Sequence, residues 1–251
     1  MNAVAGLIIA CLALTAYGLP GPQITGGNDT LDGAYPYQVS LRNDPVHGGS
    51  HFCGGAIISE HYIITCAKCI VGFLKNPYKV YVAVGSNYLV TDDAVIYQAI
   101  NLIVHAGYNK LLRINDIGLI QTLNTITFND KVQPIALPTV DRNFDGYPVL
   151  ATGWGQLWLN GPIPNRLQEI ILRGYSHELC SRYEHVKATH LCTFTMENEG
   201  ACYGDGGGPL VANNELVGLM SYSYGPCGAG APDVSTRVFS YRSWIKYYTG
   251  I

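Results

Sequence analysis

The chain has 251 residues, of which only 13% are charged, and its formal net charge is −3. A chain of this length can bury a large core in one structural unit. The slight negative charge provides no basic surface, which excludes a nucleic acid as the expected partner. Short apolar runs separated by Gly, Pro, Asn and Asp indicate a sandwich or barrel of strands rather than a bundle of helices.

The N-terminal stretch has the pattern of a secretion signal. Residues 4–16 form an uncharged apolar run, and the small residues Ala16 and Gly18 suit a signal-peptidase site. The run is short for a membrane span, and no later stretch is long and apolar enough to form one. We therefore predict a signal over residues 1–18, a short pro-segment over 19–23, and a secreted protein without membrane contact.

The cysteine count sets a constraint on the mature chain. Removal of the signal takes Cys11 away and leaves seven cysteines, at positions 53, 66, 69, 180, 192, 202 and 227. An odd number in a secreted chain leaves one thiol free or paired with another molecule. The tripeptide beginning at Asn28 is a candidate glycosylation acceptor, Asn-Asp-Thr.

Taken in chain order, the hydrophobic pattern predicts strands first and a helix last. Alternating or continuous apolar runs predict strands over residues 35–41, 51–58, 80–84, 94–97 and 100–105. Residues 176–180 resemble a short helix capped by Ser176, and residues 240–248 have helical periodicity.

A glycine-rich stretch, Cys202-Tyr-Gly-Asp-Gly-Gly-Gly-Pro-Leu210, carries the strongest signal in the chain. It resembles the nucleophile loop of the chymotrypsin- and trypsin-like serine proteases, in which a cysteine precedes GDSGGP. Three other stretches resemble motifs of the same family in the same order. They are Ile24-Thr-Gly-Gly27 (usually IVGG), Tyr62-Ile-Ile-Thr-Cys-Ala-Lys-Cys69 (LTAAHC) and Asn115-Asp-Ile-Gly-Leu-Ile120 (NDIALL).

The resemblance runs from Ile24 to about Tyr248 and is to chymotrypsin-like members of the arthropod kind. It implies an all-β fold of two packed six-stranded antiparallel barrels, with the active-site cleft between them and a short C-terminal helix. The implied protease domain is 24–251, with barrel one at about 24–130, barrel two at about 139–240 and the helix at about 240–249.

Two of the three triad positions differ from the family. Asp116 matches the carboxylate, but Lys68 stands where the family has its histidine and Gly206 where it has its serine. Without a side chain, Gly206 cannot form a covalent acyl intermediate. We therefore predict that the chain is not an enzyme but a binding or decoy protein, with Lys68 as the ionic partner of a buried Asp116.

Alternative hypotheses remain open from the sequence. The chain could be an active serine-type endopeptidase with an altered mechanism or an error in its sequence, or a copy of a digestive enzyme without a selected role. The expected partners are peptides, proteases or protease inhibitors bound by a monomer. No cofactor is expected, and no metal-ligand spacing is present.

The resemblance assigns the remaining site residues. The N–H groups of Gly204 and Gly206 match the oxyanion hole, and the amine of Ile24, once freed, would pair with Asp205. Because Gln23 replaces the usual Arg or Lys before Ile24, we expect no trypsin-like cleavage there. The implied disulfides are Cys53–Cys69, Cys180–Cys192 and Cys202–Cys227, which leave Cys66 as the free thiol.

The specificity pocket is expected to differ from both common forms of the family. Gly200 occupies its floor, so no carboxylate stands there. Counting on from Cys227 places Asp233 in the pocket wall, with Ser221 and Ser223 on the substrate-binding edge. We predict that Asp233 directs a carboxylate into the pocket and favours a basic side chain, and that Ser223 narrows the entrance.

Overall fold

The protein is built mainly from antiparallel strands. The computed structural model describes residues 24–45 and 51–251, so the predicted signal and pro-segment lie outside the described residues. Within them the strands are β1 (Asn28–Asp29), β2 (Gln38–Arg42), β3 (His51–Ile57), β4 (Tyr62–Thr65), β5 (Tyr81–Val84), β6 (Val95–Val104), β7 (Gly118–Thr122), β8 (Pro148–Gly153), β9 (Gln168–Tyr175), β10 (His190–Thr193), β11 (Pro209–Ala212), β12 (Glu215–Ser223) and β13 (Asp233–Arg237).

These strands close into two barrels. The first barrel has the order β2-β3-β4-β7-β6-β5, and in the second β8-β9-β10-β13-β12-β11 close through the pairing of β8 with β9. The short strand β1 adds to the outer edge of β9. All pairings between these strands are antiparallel, as the hydrophobic pattern and the resemblance predicted, so the predicted fold class is confirmed.

One pair of predicted strands is a single strand. The runs at 94–97 and 100–105 join as β6, with a register shift against β7 between Ala99 and Asn101. An extra residue at such a bulge interrupts the alternation of faces, and Ile100 is 38% exposed as a result. The broken alternation is what made one strand resemble two.

The helices are short and lie outside the barrels. They are α1 (Ala67–Ile70), α2 (His177–Cys180) and α3 (Arg242–Thr249). Ser176 holds the N-cap position of the predicted α2, but its side chain makes no capping hydrogen bond. Gly250 ends α3 in the left-handed conformation, with φ of 82°. None of the helices in the described part of the chain is long and apolar enough to cross a membrane.

Each end of the described chain packs against the barrel that is distant from it in sequence. Ile24 packs in the core of the second barrel, whereas Ile245 of α3 packs against the core of the first. The glycine-rich loop is also tied to both barrels, because the N–H of Gly54 in β3 donates to the carbonyl of Gly206 at 2.9 Å. These connections fix the cleft in which the candidate site lies.

Candidate active site between the barrels

A cavity of about 600 Å³ opens between the two barrels. Both barrels contribute to its wall, the first through α1 and the turn before β7, and the second through the glycine-rich loop, β12 and β13. The structure brings most of the predicted site residues together in this one cavity: Lys68, Asp116, Gly206, Ser221, Ser223 and Asp233.

Asp116 is buried and held by hydrogen bonds from both barrels. The backbone N–H of Lys68 donates to its Oδ1 at 2.8 Å, and the hydroxyl of Ser221 donates to its Oδ2 at 2.7 Å. Thr236 Oγ1 donates to the Asp116 carbonyl at 2.7 Å. The carboxylate is therefore fixed in position and has a partner on each oxygen.

The Lys68 ammonium does not pair with Asp116, so that prediction is wrong. It donates to the carbonyl oxygen of Ser221, and over the described ranges no carboxylate lies within ion-pair distance of it. The reason is local: the Lys68 amide and the Ser221 hydroxyl already occupy Asp116. The Lys68 side chain extends into the open cavity instead, where water can solvate its charge.

The space that a side chain at position 206 would fill is next to this ammonium. A Cβ placed on Gly206 would lie 2.8 Å from Lys68 Cε and 2.9 Å from Nζ. The backbone at Gly206 has no positive φ, so an ordinary residue fits there once the flexible end of Lys68 moves. The three positions that the resemblance assigned to a triad are thus neighbours in space.

The amides of the predicted oxyanion hole are free to bind a ligand. In residues 24–45 and 51–251, no acceptor satisfies the N–H of Gly204 or Gly206, and both residues line the cavity. Their backbone is held from behind, because His51 Nε2 donates to the Gly204 carbonyl at 3.1 Å. Two unoccupied amide donors in the wall of one cavity are what an oxyanion needs.

His51 is a positioning residue that the sequence interpretation missed. Since a carbonyl only accepts, its Nε2 carries the proton, and its Nδ1 accepts from Ser40 Oγ at 2.9 Å. Burial lowers the pKa of His51 to about 4, so the ring is neutral at physiological pH. The available signal was its place two residues before the bridged Cys53.

The Asp233 carboxylate lies in the pocket wall beside Gly200. Its Oδ2 accepts from the Ala201 N–H at 2.7 Å, and the hydroxyl of Ser223 donates to its Oδ1. Ser223, which was expected to narrow the entrance, therefore also orients the carboxylate. A Cβ on Gly200 would lie 2.4 Å from Asp233 Oδ2, so only glycine leaves room for this carboxylate. The φ of Gly200, 135°, is also one that residues with a side chain rarely adopt.

Burial is the main cause of the raised pKa of two carboxyls near the pocket, Asp233 and Asp205. It raises the pKa of Asp233 to about 6, against the lowering effect of the hydrogen bonds from Ser223 and Ala201. It raises the pKa of Asp205 to about 7, although the amides of Cys202 and Gly155 donate to this carboxyl. Asp205 has no ion-pair partner among the residues described, and its pairing with a freed Ile24 amine stays a prediction.

The cysteines form the three bridges that the resemblance implied, namely Cys53–Cys69, Cys180–Cys192 and Cys202–Cys227. Cys66 is a buried thiol whose Sγ donates to the Met220 carbonyl at 3.3 Å. The predicted glycosylation acceptor Asn28 is exposed on β1, while Thr30 of the same tripeptide is buried. Within the described ranges, no cluster of three or more His, Cys, Asp or Glu side chains could hold a metal ion.

Comparison with known proteins identifies the family. The trypsin family model matches residues 24–245. The chain belongs to the trypsin family of serine proteases. Chymotrypsin-2 of Vespa crabro is 47% identical over 225 residues, which are 89% of this chain and 98% of that protein. Trypsin of Sarcophaga bullata is 36% identical over an alignment of 253 positions, which covers 97% of this chain and 96% of that protein. Chymotrypsin-C of Mus musculus is 34% identical over an alignment of 239 positions, which covers 89% of this chain and 88% of that protein.

These relatives overturn the prediction that the chain is not an enzyme. They are named as chymotrypsins and trypsins, and they align with nearly the whole chain, so the trypsin-family match points to a serine endopeptidase. The prediction gave the two altered positions, Lys68 and Gly206, more weight than membership of the family. Those residues instead determine how a reaction in this cleft could proceed.

Proposed function

We propose that the cleft binds an extended polypeptide with a basic side chain at Asp233 and hydrolyses the following peptide bond by direct attack of water. The observation that carries this proposal is that Asp233 and the free amides of Gly204 and Gly206 line one cavity. Amide donors stabilise the oxyanion of a tetrahedral intermediate. The protease names of the relatives support peptide hydrolysis as the reaction.

The residues at the centre of the cleft limit the route and the rate. Because Gly206 has no hydroxyl, the acyl group is not transferred to this residue, and water attacks the carbonyl carbon. The water oxygen joins the acyl carbon, the C–N bond breaks, and solvent carries the protons between the water and the leaving amine. Binding and an oxyanion hole alone accelerate hydrolysis by about 10³ to 10⁴ over water, so we expect slow turnover.

The pocket wall supports the choice of a basic side chain. Each oxygen of a carboxylate has two acceptor sites, and the contacts from Ser223 and Ala201 use one on each oxygen of Asp233. Ser235, which also lines the cavity, has a buried hydroxyl for which the described residues provide no partner. A guanidinium or ammonium in this pocket would gain about 1.5–3 kcal/mol from a charge-assisted hydrogen bond.

Long incubation with a peptide that contains one internal arginine tests this proposal. We expect mass spectrometry to show cleavage after arginine, and none in a matched peptide with norleucine at that position. Asp233→Asn should lower the rate about tenfold or more, whereas Asp130→Asn, which changes an exposed carboxylate, should not. Absence of product above the buffer control, or equal cleavage of both peptides, would contradict the proposal.

Restoring the missing groups should raise the rate in a defined order. Gly206→Ser supplies a hydroxyl but leaves it without a base, so this variant should remain slow towards peptide esters. Adding Lys68→His should raise ester hydrolysis by roughly 10²-fold or more, because general-base catalysis typically contributes that much. Only the double variant should react rapidly with a fluorophosphonate probe. Equal rates for the single and double variants would show that the cleft cannot support this chemistry.

We also propose that the protein is secreted. The three disulfides support this, since such bridges persist in oxidising compartments. The predicted signal itself, residues 1–18, lies outside the described part of the chain.

A further inference from the structure

The Lys68 ammonium is a charged group in the cleft that hydrolysis by water does not require. Its side chain is exposed to the cavity, and the Ser221 carbonyl accepts one of its three N–H donors. No carboxylate neutralises it within the described ranges. Two donors of a full positive charge therefore remain available to a ligand.

The free amides of the glycine-rich loop lie next to this charge. Nζ is 2.9 Å from where a Cβ of Gly206 would be, so the ammonium lies against the Gly206 backbone. Gly204 and Gly206 each add an N–H that no described group accepts. One charged and two neutral donors around the same space form a site for a carboxylate, which accepts charge-assisted hydrogen bonds on both oxygens.

The spacing between this anion site and Asp233 suits a ligand that carries a lysine or arginine side chain next to its carboxylate. Lys68 bonds Ser221 and Asp233 bonds Ser223, two residues further along the same strand, β12. Two residues of a strand span about 7 Å. That distance is comparable to the reach of an extended lysine or arginine side chain from its own backbone.

The other charges at the cavity agree with an incoming carboxylate. Lys110 and Arg113 also line it, and the Arg113 guanidinium lies 4.9 Å from the centre of the Tyr222 ring. Among the described residues of this wall, the one other carboxylate besides Asp233 is Asp116, which is buried beneath the Lys68 amide and the Ser221 hydroxyl. The described lining thus has three cationic side chains against two carboxylates, and Asp116, one of the two, already accepts a hydrogen bond on each oxygen.

We propose that the cleft retains the carboxyl end of polypeptides that terminate in lysine or arginine. Lys68 and the two amides bind the terminal carboxylate, and Asp233 binds the side chain. This inference rests on the proposed function of the Asp233 pocket and adds a role for Lys68. Hydrolysis after basic residues, by this chain or by another protease, is the class of reaction that supplies such ends.

Calorimetric titration with three matched peptides tests the inference. One peptide ends in arginine with a free carboxylate, the second is its C-terminal amide, and the third ends in norleucine with a free carboxylate. We expect the arginine acid to bind wild type about tenfold or more tightly than the amide. Lys68→Met should reduce this ratio several-fold, because only the two neutral amides then remain, while Lys246→Met, which alters an exposed lysine of α3, should preserve it.

Asp233→Asn provides the complementary measurement. It should weaken the acid and the amide by the same factor and so preserve their ratio, because the amide keeps the arginine side chain. Since the Lys68 side chain is exposed, Lys68→Met should unfold at nearly the wild-type temperature, which thermal melting checks. Equal binding of acid and amide to wild type, or a preference that is undiminished in Lys68→Met, would overturn the inference.

The failure of this inference is distinguishable from that of the proposed function. Cleavage of the internal-arginine peptide without a preference for the acid would refute retention alone. Equal binding of the arginine and norleucine acids would refute the Asp233 pocket, on which the inference and the proposed specificity both depend.

Discussion

At the scale of single residues, Asp233 controls the charge of the pocket that we propose for a basic side chain. It is buried, and it exists in this position only because Gly200 beside it has no side chain. Burial disfavours the ionised form, and this raises the pKa of Asp233 to about 6. The pocket should therefore gain its negative charge as the pH rises through about 6.

The affinity of the pocket for a small aromatic cation such as benzamidine should depend on pH. Below pH 6 the carboxyl is mainly protonated and must lose its proton before the cation can pair with it. Affinity should therefore rise with pH and level off above about 6. Titrations of benzamidine between pH 5 and 8 check this. The control is Asp233→Ala, whose affinity should be weak and independent of pH. A flat profile in wild type, or the same affinity in the variant, would remove Asp233 as the cation site.

The sequence predicted the location of these residues better than their contacts. Asp233 could be placed by counting from Cys227 without a gap, because the disulfide and the strand that follows fix the register. The direction of the Lys68 side chain could not be predicted. It depends on which donors occupy the Asp116 carboxylate in the folded protein, and here these are the Lys68 amide and the Ser221 hydroxyl.

At the scale of elements, the junction between β4 and α1 ties the two barrels together. Cys66 occupies the N-cap position of α1 with an extended backbone, and its Sγ donates to the Met220 carbonyl of β12. Its complete burial is the main cause of a raised pKa of the thiol, with nearby Asp116 acting in the same direction and Lys68 in the opposite one. The thiol is a packing group between barrels rather than a nucleophile.

Cys66 should accordingly be slow to alkylate in the folded protein. At pH 8 we expect iodoacetamide to leave it unmodified over a time in which it labels the unfolded, unreduced chain completely, since the thiolate is the reactive form. Peptide mass spectrometry locates the label, and a Cys66→Ser variant should lose it. Rapid labelling of native protein at Cys66 would show that the thiol is accessible and ionised.

Elements could be predicted where their pattern was regular. Strands β3 and β5 follow apolar runs closely, and α3 follows its helical period. Strand β10, like most other strands of the second barrel, was expected only from the resemblance and not from its own pattern. The bulge in β6 made one strand resemble two.

At the scale of the whole molecule, the N-terminal segment connects to the second barrel before any cleavage. Ile24 is fully buried in that core, and the carbonyl of Thr25 accepts from the Gly200 N–H at 3.0 Å. Ile24 nevertheless has a φ of 25°, which β-branched residues avoid. Cleavage before Ile24 would remove this strained angle, because φ is defined by the carbonyl carbon of residue 23.

The stability of the chain with an intact bond between Gln23 and Ile24 should fall above pH 6.5. Burial raises the pKa of Asp205 from its ordinary value of 3.8 to about 7, so the folded state binds a proton that the unfolded state has already lost. Stability from this group is complete below about pH 4 and declines as pH rises through 7. His51, with its lowered pKa, acts in the opposite direction, but only between about pH 4 and 6.5. From pH 6.5 to 8 the Asp205 effect should cost of the order of 1 kcal/mol.

Urea unfolding of two matched chains measures this effect. One chain retains Gln23, and the other is cut from a fusion so that it begins at Ile24. In the second, an ammonium beside Asp205 would lower the pKa of that carboxyl and stabilise its ionised form. We therefore expect the free energy of unfolding to fall between pH 6.5 and 8 in the first chain only. Asp205→Asn should remove this fall in that chain. An equal loss in both chains would mean that the Ile24 amine does not reach Asp205, and that cleavage at this bond does not complete the site.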